Sequence, residues 1–223
     1  MIVHAPVLPF WSPAEVEGAL RTTINALADR RVIAYPTETV YGFGTAVDHA
    51  SVETLVQMKG RPAGKPFLLL IGDPAQIGRL DLRMPTYAAG LAARFWPGPL
   101  TLVLPGGEQR VPPRLRGPEG GVAVRWTPHP GLRRLLAAYG EPITSTSANR
   151  PGVPPAMTAA EIVEQWPDQI HRGTLTVLDG GRLSPSRPST VVDCTGRRAR
   201  VIRPGVLSAQ ELRTCVPDLV GDT

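Results

Sequence analysis

Short apolar runs alternating with amphipathic stretches constrain this chain more than any other feature. Val32–Tyr35, Phe67–Ile71 and Leu100–Leu104 are almost continuously apolar, as strands covered on both faces must be. Between such runs the apolar spacing changes to the helical period. Ala14–Leu27 places Val16, Leu20, Ile24 and Leu27 on one face, with Ser12 as cap and Pro13 in the first turn. Ser51–Met58, Thr86–Phe95, Gly131–Tyr139, Ala159–Gln165 and Ala209–Cys215 read as further helices. Val122–Trp126, Ile143–Ser145, Leu175–Leu178, Thr190–Cys194 and Val201–Arg203 read as further strands. This alternation predicts an α/β fold. Only TGRRAR separates Cys194 from Val201, so those two strands are expected to be antiparallel and the sheet mixed. No repeat and no long linker interrupts the 223 residues, and one domain spanning 1–223 is expected.

Composition removes several classes. With 42% hydrophobic and 19% charged residues, the chain is too apolar for a disordered one. No run approaches the roughly 20 apolar residues of a membrane span. The start, MIVHAPVLPFWSP, lacks a basic segment and is cut by prolines, so no signal peptide is expected. Cys194 and Cys215 form no CxxC pair and adjoin no histidine cluster. That excludes a disulfide framework or zinc site and points to reduced thiols in the cytoplasm. A net charge of +5 suits an anionic ligand but is compatible with nucleotide, RNA or neither.

Of the 24 basic side chains only Lys59 and Lys65 are lysines, and both fall in KGRPAGK. Lysine is a compact point charge with three rotatable donors, whereas arginine is a wide planar fork. Either the pair clusters by chance on a solvated loop, or phosphate oxygens approach where a guanidinium does not fit.

Four segments repeat one arrangement, a strand or helix end followed by a turn rich in hydroxyls or glycine. In YPTETVYGFG (35–44), Pro36 fixes the turn, Thr37, Glu38 and Thr39 supply polar groups, and Gly42 and Gly44 permit close backbone approach. An ordinary capped turn is the competing reading. KGRPAGKP (59–66) gathers Lys59, Arg61 and Lys65 with two glycines as an anion cradle, although the Walker pattern is absent. TSTSAN (144–149) sets hydroxyls where α/β sheets bind ligands, at a strand end; a hydroxyl-rich turn satisfying its own backbone is the alternative. PSTVVD and VIRPG (188–193 and 201–205) put Ser189 at the head of one strand and Arg203 at the end of another.

Other chemistries lack their residues. The four histidines are scattered, no GxSxG elbow is present, and no GxGxxG opens a helix after the first strand. Twelve aromatics without an RNP-like motif give little support to a base-stacking RNA platform.

YPTETVYGFG, KGRPAGKP, WPGPLTLVLP, VAVRWTPHP, TSTSANRPG, STVVDCTG and VIRPG, in this order and spacing from about Arg31 to Gly205, closely resemble the YrdC-like threonylcarbamoyl-AMP synthases. The resemblance implies a YrdC-like twisted mixed sheet flanked by helices, with a basic concave cavity. It implies synthesis of threonylcarbamoyl-AMP and pyrophosphate from L-threonine, bicarbonate and ATP with Mg2+, for N6-threonylcarbamoyladenosine at position 37 of tRNA. A tRNA threonylcarbamoyl transferase machinery would receive the product. Lys59 and Arg61 would be catalytic; Lys59, Arg61, Lys65, Ser147, Asn149 and Arg203 would hold ATP. Thr37, Arg125, Ser145 and Ser189 would hold L-threonine, and no side chains are identified as metal ligands. Leu70 stands where some relatives carry a polar residue, and a short form without the extra C-terminal domain of longer relatives is expected. An RNA-binding module, or a carbamoyl-transfer domain, using the same basic cavity is the alternative; no membrane partner is expected.

Overall fold

The computed structural model describes residues 7–60 and 66–221. They form two compact units, the described residues within Met1–Pro62 and His129–Ser186, and those within Ala63–Pro128 and Arg187–Thr223. In chain order the elements are β1 (Val7–Pro9), α1 (Pro13–Ala28), β2 (Val32–Tyr35), β3 (Gly42–Gly44), α2 (His49–Lys59) and β4 (Leu68–Ile71). Next come α3 (Gln76–Arg79), α4 (Thr86–Phe95), β5 (Leu100–Leu104), β6 (Val122–Trp126), α5 (Pro130–Tyr139) and β7 (Ile143–Ser147). The chain continues through α6 (Ala159–Gln165), α7 (Pro167–His171), β8 (Leu175–Asp179), β9 (Thr190–Asp193), β10 (Arg200–Arg203) and α8 (Ala209–Arg213).

The first unit holds the strand order β1-β8-β2-β3-β7. β1, β8 and β2 run parallel, whereas β3 is antiparallel to both β2 and β7. β2 is buried at all four residues, as its unbroken apolar run predicts. Helix α1 packs against α5 and β2, and Ser12 and Glu15 complete a reciprocal capping box at its start. Each such cap satisfies backbone N–H groups that the helix itself leaves open.

Strand β3 is Gly-Phe-Gly, and its glycines have a steric cause. A Cβ on Gly44 would overlap the Thr144 carbonyl oxygen and stand 2.9 Å from the Tyr35 ring. These glycines therefore let neighbouring strands and a tyrosine close up, rather than opening space for a ligand. Phe43 between them meets Trp166 edge-on, with centroids 5.3 Å apart.

The second unit holds the order β4-β6-β5-β9-β10. β4 pairs parallel with β6, and β5 parallel with β9; β5–β6 and β9–β10 are antiparallel. The mixed α/β organisation expected from the sequence is thus present in each unit, with helices alongside the sheets. Leu69, Ile71, Leu100, Leu102, Val124 and Val192 form the apolar centre of this unit.

The β9–β10 ladder carries a bulge. Val201 lies opposite Val192, but Arg203 lies opposite Val191, leaving Ile202 without a partner. A regular ladder would set Arg203 opposite Thr190. Because alternate residues share a face, the extra residue moves Arg203 onto the face of Val191 and Ser189, as bulges characteristically re-aim a side chain.

Candidate active site

In the first unit, Lys59 joins two motifs distant in sequence. It is the last residue of α2, where the helix dipole favours a cation, and Gly60 ends the helix in the left-handed conformation at φ +60°. Lys59 is only 6% exposed. Its Nζ donates to Thr146 Oγ1 at 3.1 Å, Asn149 Oδ1 at 3.0 Å and Ser147 Oγ at 3.3 Å, and also to the Ser147 carbonyl. The Ser147 hydroxyl in turn donates to Asn149 Oδ1 at 2.6 Å, and Asn149 Nδ2 donates to the Val153 carbonyl at 2.7 Å. A buried ammonium is therefore fixed at the end of β7 by oxygens that are themselves oriented. Such preorganisation favours an anion without reorganisation on binding.

Thr37 has a different arrangement. Its Oγ1 donates to the Val40 carbonyl at 2.6 Å and accepts from the N–H groups of Thr39 and Val40 at 3.1 and 3.2 Å. The hydroxyl thus holds its own turn. Ser145 is buried within β7, and strand alternation places it on the face opposite Thr144 and Thr146. The strand runs on to Ser147, so most of the hydroxyl cluster belongs to the strand rather than to a following turn. Arg61 and Lys65 lie outside the described residues.

Tyr41 is fully buried, though sequence reasoning did not select it. Its hydroxyl accepts from Gly180 N at 3.0 Å and donates to the Gly181 carbonyl at 2.8 Å. Burial pushes the phenol up to about 12, so it remains a donor at neutral pH. Its place inside YPTETVYGFG was the available signal. A cavity of about 370 Å3 in the same unit is lined by Arg21, Thr22, Asn25, Ala26, Asp29, Arg31 and Thr176, none of them a candidate. Asp29 there already pairs with Arg31 at 2.5 Å.

In the second unit, Arg125 on β6 is 6% exposed and its Nε donates to the Gly98 carbonyl at 3.0 Å. Gly98 N donates to the Trp126 carbonyl at 2.9 Å, so the WPGP turn is laced to the end of β6. Leu70 sits in register with Arg125 on the adjacent parallel strand, an apolar neighbour for its stem. Ser189 is buried at 3% exposure. Its Oγ lies 2.9 Å from Thr101 Oγ1 and accepts from Arg203 Nη2 at 3.0 Å; the same guanidinium nitrogen reaches the Ser189 carbonyl at 2.9 Å. The bulge thus brings together two residues that the sequence had placed on separate strands. Thr101, interior to WPGPLTLVLP, was missed as a partner because it reads as a strand residue.

Residues 25–205 match the family described as "Telomere recombination", the Sua5–YciO–YrdC proteins. The chain belongs to this family. The match covers both units and starts slightly ahead of the span expected from the motifs. Two curated members of the family resemble the chain over most of its length. The threonylcarbamoyl-AMP synthase of Pyrococcus abyssi is 35% identical over 204 residues, 91% of this chain and 58% of its own. That of Chromohalobacter salexigens is 36% identical over 180 residues, 80% of this chain and 94% of its own. The chain therefore spans little more than half of the first relative and nearly all of the second. Among solved structures, P. abyssi Sua5 in complex with L-threonine superposes with a TM-score of 0.85 at 31% identity, covering 96% of this chain and 62% of that one.

Proposed function

We propose that this chain is a threonylcarbamoyl-AMP synthase acting as one domain across residues 1–223. The observation that carries the reading is the buried Lys59 ammonium tied to Thr146, Ser147 and Asn149, which unites the KG and TSTSAN motifs at one strand end. The names of the P. abyssi and C. salexigens relatives support it, as does the L-threonine bound by the P. abyssi protein.

The amine of L-threonine and bicarbonate form a carbamate with loss of water. A carbamate oxygen then attacks the α-phosphorus of ATP, forming the mixed anhydride and releasing pyrophosphate. Both reactants are anionic, so the chain's task is to neutralise and align them rather than to supply a covalent nucleophile. In this reading Lys59 and Arg61 are catalytic and, with Lys65, Ser147, Asn149 and Arg203, hold ATP. Arg125 receives the threonine carboxylate as a planar fork, with Ser145 and Ser189 beside the substrate. Thr37 contributes by shaping its turn, since its hydroxyl is engaged there.

Among the described residues no group of three or more His, Cys, Asp or Glu side chains gathers. In this reading the magnesium arrives on the triphosphate, with no step assigned to it. The product would serve N6-threonylcarbamoyladenosine formation in tRNA, in the cytoplasm, through a separate transferase machinery. The test is pyrophosphate release with L-threonine, bicarbonate and ATP omitted one at a time. Release should need all three; release from ATP alone refutes the reading.

A further inference from the structure

We propose that Tyr41 is a positioning residue for the ATP side of this site, holding Gly180–Ser186 as a strap against the loop that follows Ser147 and presents Asn149. The inference rests on the synthase reading. After β8 ends at Asp179, residues 180–189 adopt no regular structure, yet the strap has three anchors. Tyr41 Oη bonds Gly180 N and the Gly181 carbonyl at 3.0 and 2.8 Å. Leu183 N donates to the Met157 carbonyl at 2.9 Å. Ser186 Oγ donates to the Glu38 carbonyl at 3.2 Å.

The main chain of the same tyrosine fastens the other loop. Tyr41 N donates to the Ala156 carbonyl at 3.0 Å, and Ala148 N donates to the Tyr41 carbonyl at 2.8 Å. Between these bonds the loop is closed by Asn149 Nδ2 on Val153, and Asn149 Oδ1 receives Lys59. One residue therefore connects the strap, through backbone and side-chain bonds, to the buried ammonium. Phenylalanine would fill the same buried space, so a hydroxyl there serves the strap rather than the packing. A strap ordered for only part of the time lowers apparent ATP affinity by that fraction.

The experiment compares wild type, Tyr41→Phe and Ser186→Ala. In ligand-free protein, tryptic cleavage after the exposed Arg182 is followed by mass spectrometry. Arg187 precedes proline and resists trypsin. Loss of the hydroxyl should speed that cleavage about three- to tenfold, the range for lost buried hydrogen bonds. The KM for ATP should rise by a similar factor while kcat falls less than twofold. Ser186→Ala should move both measures the same way by less, and it carries the test alone if Tyr41→Phe does not fold. Unchanged cleavage and KM in both variants overturn the proposal, as does a lowered melting temperature with KM unchanged, the signature of a merely structural tyrosine. A wild type that does not consume ATP overturns the synthase reading instead; cleavage rates need no ATP, so the two failures are told apart.

Discussion

Replacing Lys59 with methionine separates what the ammonium does for the fold from what it does for phosphates. The unbranched methionine keeps most of the buried stem and removes only the charge. Four oxygens lose a donor, but Asn149 Oδ1 keeps the Ser147 hydroxyl at 2.6 Å, and the Thr146 hydroxyl can turn. Against those losses stands relief from burying an ammonium at 6% exposure, a desolvation penalty of several kcal/mol. The terms nearly cancel, so stability should shift by about 1 kcal/mol in either direction, about 2–4 °C in melting temperature for a chain of this size. Transition-state charge has no such compensation. Loss of one preorganised donor lowers kcat by about 10²-fold or more, equivalent to about 2.7 kcal/mol. Steady-state pyrophosphate release gives kcat and KM, and differential scanning fluorimetry gives the melting temperature on the same preparations. A Lys59→Met variant turning over within threefold of wild type refutes the role; a melting point lowered by more than about 10 °C refutes the cancellation.

Three further outcomes are expected. Arg125→Lys keeps the charge but loses the fork and the Nε bond to Gly98, so the KM for L-threonine should rise about tenfold or more with the KM for ATP little changed; equal KM values would remove Arg125 from the amino-acid side. Burial pushes the Cys194 thiol up to about 12, and alkylation needs the thiolate, so at about pH 8.5 iodoacetamide should modify Cys215 alone, with Cys194 joining only as pH rises towards its own value or the chain unfolds. Two modified thiols in intact mass spectra of folded protein would contradict this. Gly44→Ala must overlap the Thr144 carbonyl and the Tyr35 ring and should cost about 2 kcal/mol or more in denaturant titrations, whereas Gly18→Ala, with open space around it in α1, should be neutral or stabilising by about 0.5–1 kcal/mol.

Local chemistry in the sequence foretold those elements whose signals are local. Ser12, Pro13 and the apolar face of α1 lie within a few residues of one another, and the helix forms as they predict. Helix α2 starts at His49 rather than at the expected Ser51, because Asp48 is its cap, and Ser51 N donates to Asp48 Oδ1 at 3.0 Å. Strand β3 was not foreseen, since glycine disfavours strands and its justification is the Tyr35 ring. Helix α7, begun by Pro167, is too short to show a period. At the candidate site, Lys59 and the TSTSAN motif were each recognisable, but not that one would bond the other. The link between Arg203 and Ser189 depends on a single extra residue in β10, which no alternation pattern reveals. Tyr41 was passed over because its partners, Gly180 and Gly181, lie far along the chain and offer only backbone groups.

The anchoring of Lys59 has a consequence for biosynthesis. Its oxygen partners are encoded 87 to 90 residues downstream, and β3 likewise waits for β7. A nascent chain emerging at about 5–20 residues per second therefore carries a solvated lysine for several seconds before its seat exists. Any release of the chain ahead of Ser147 yields a polypeptide with the ammonium but nothing to aim it.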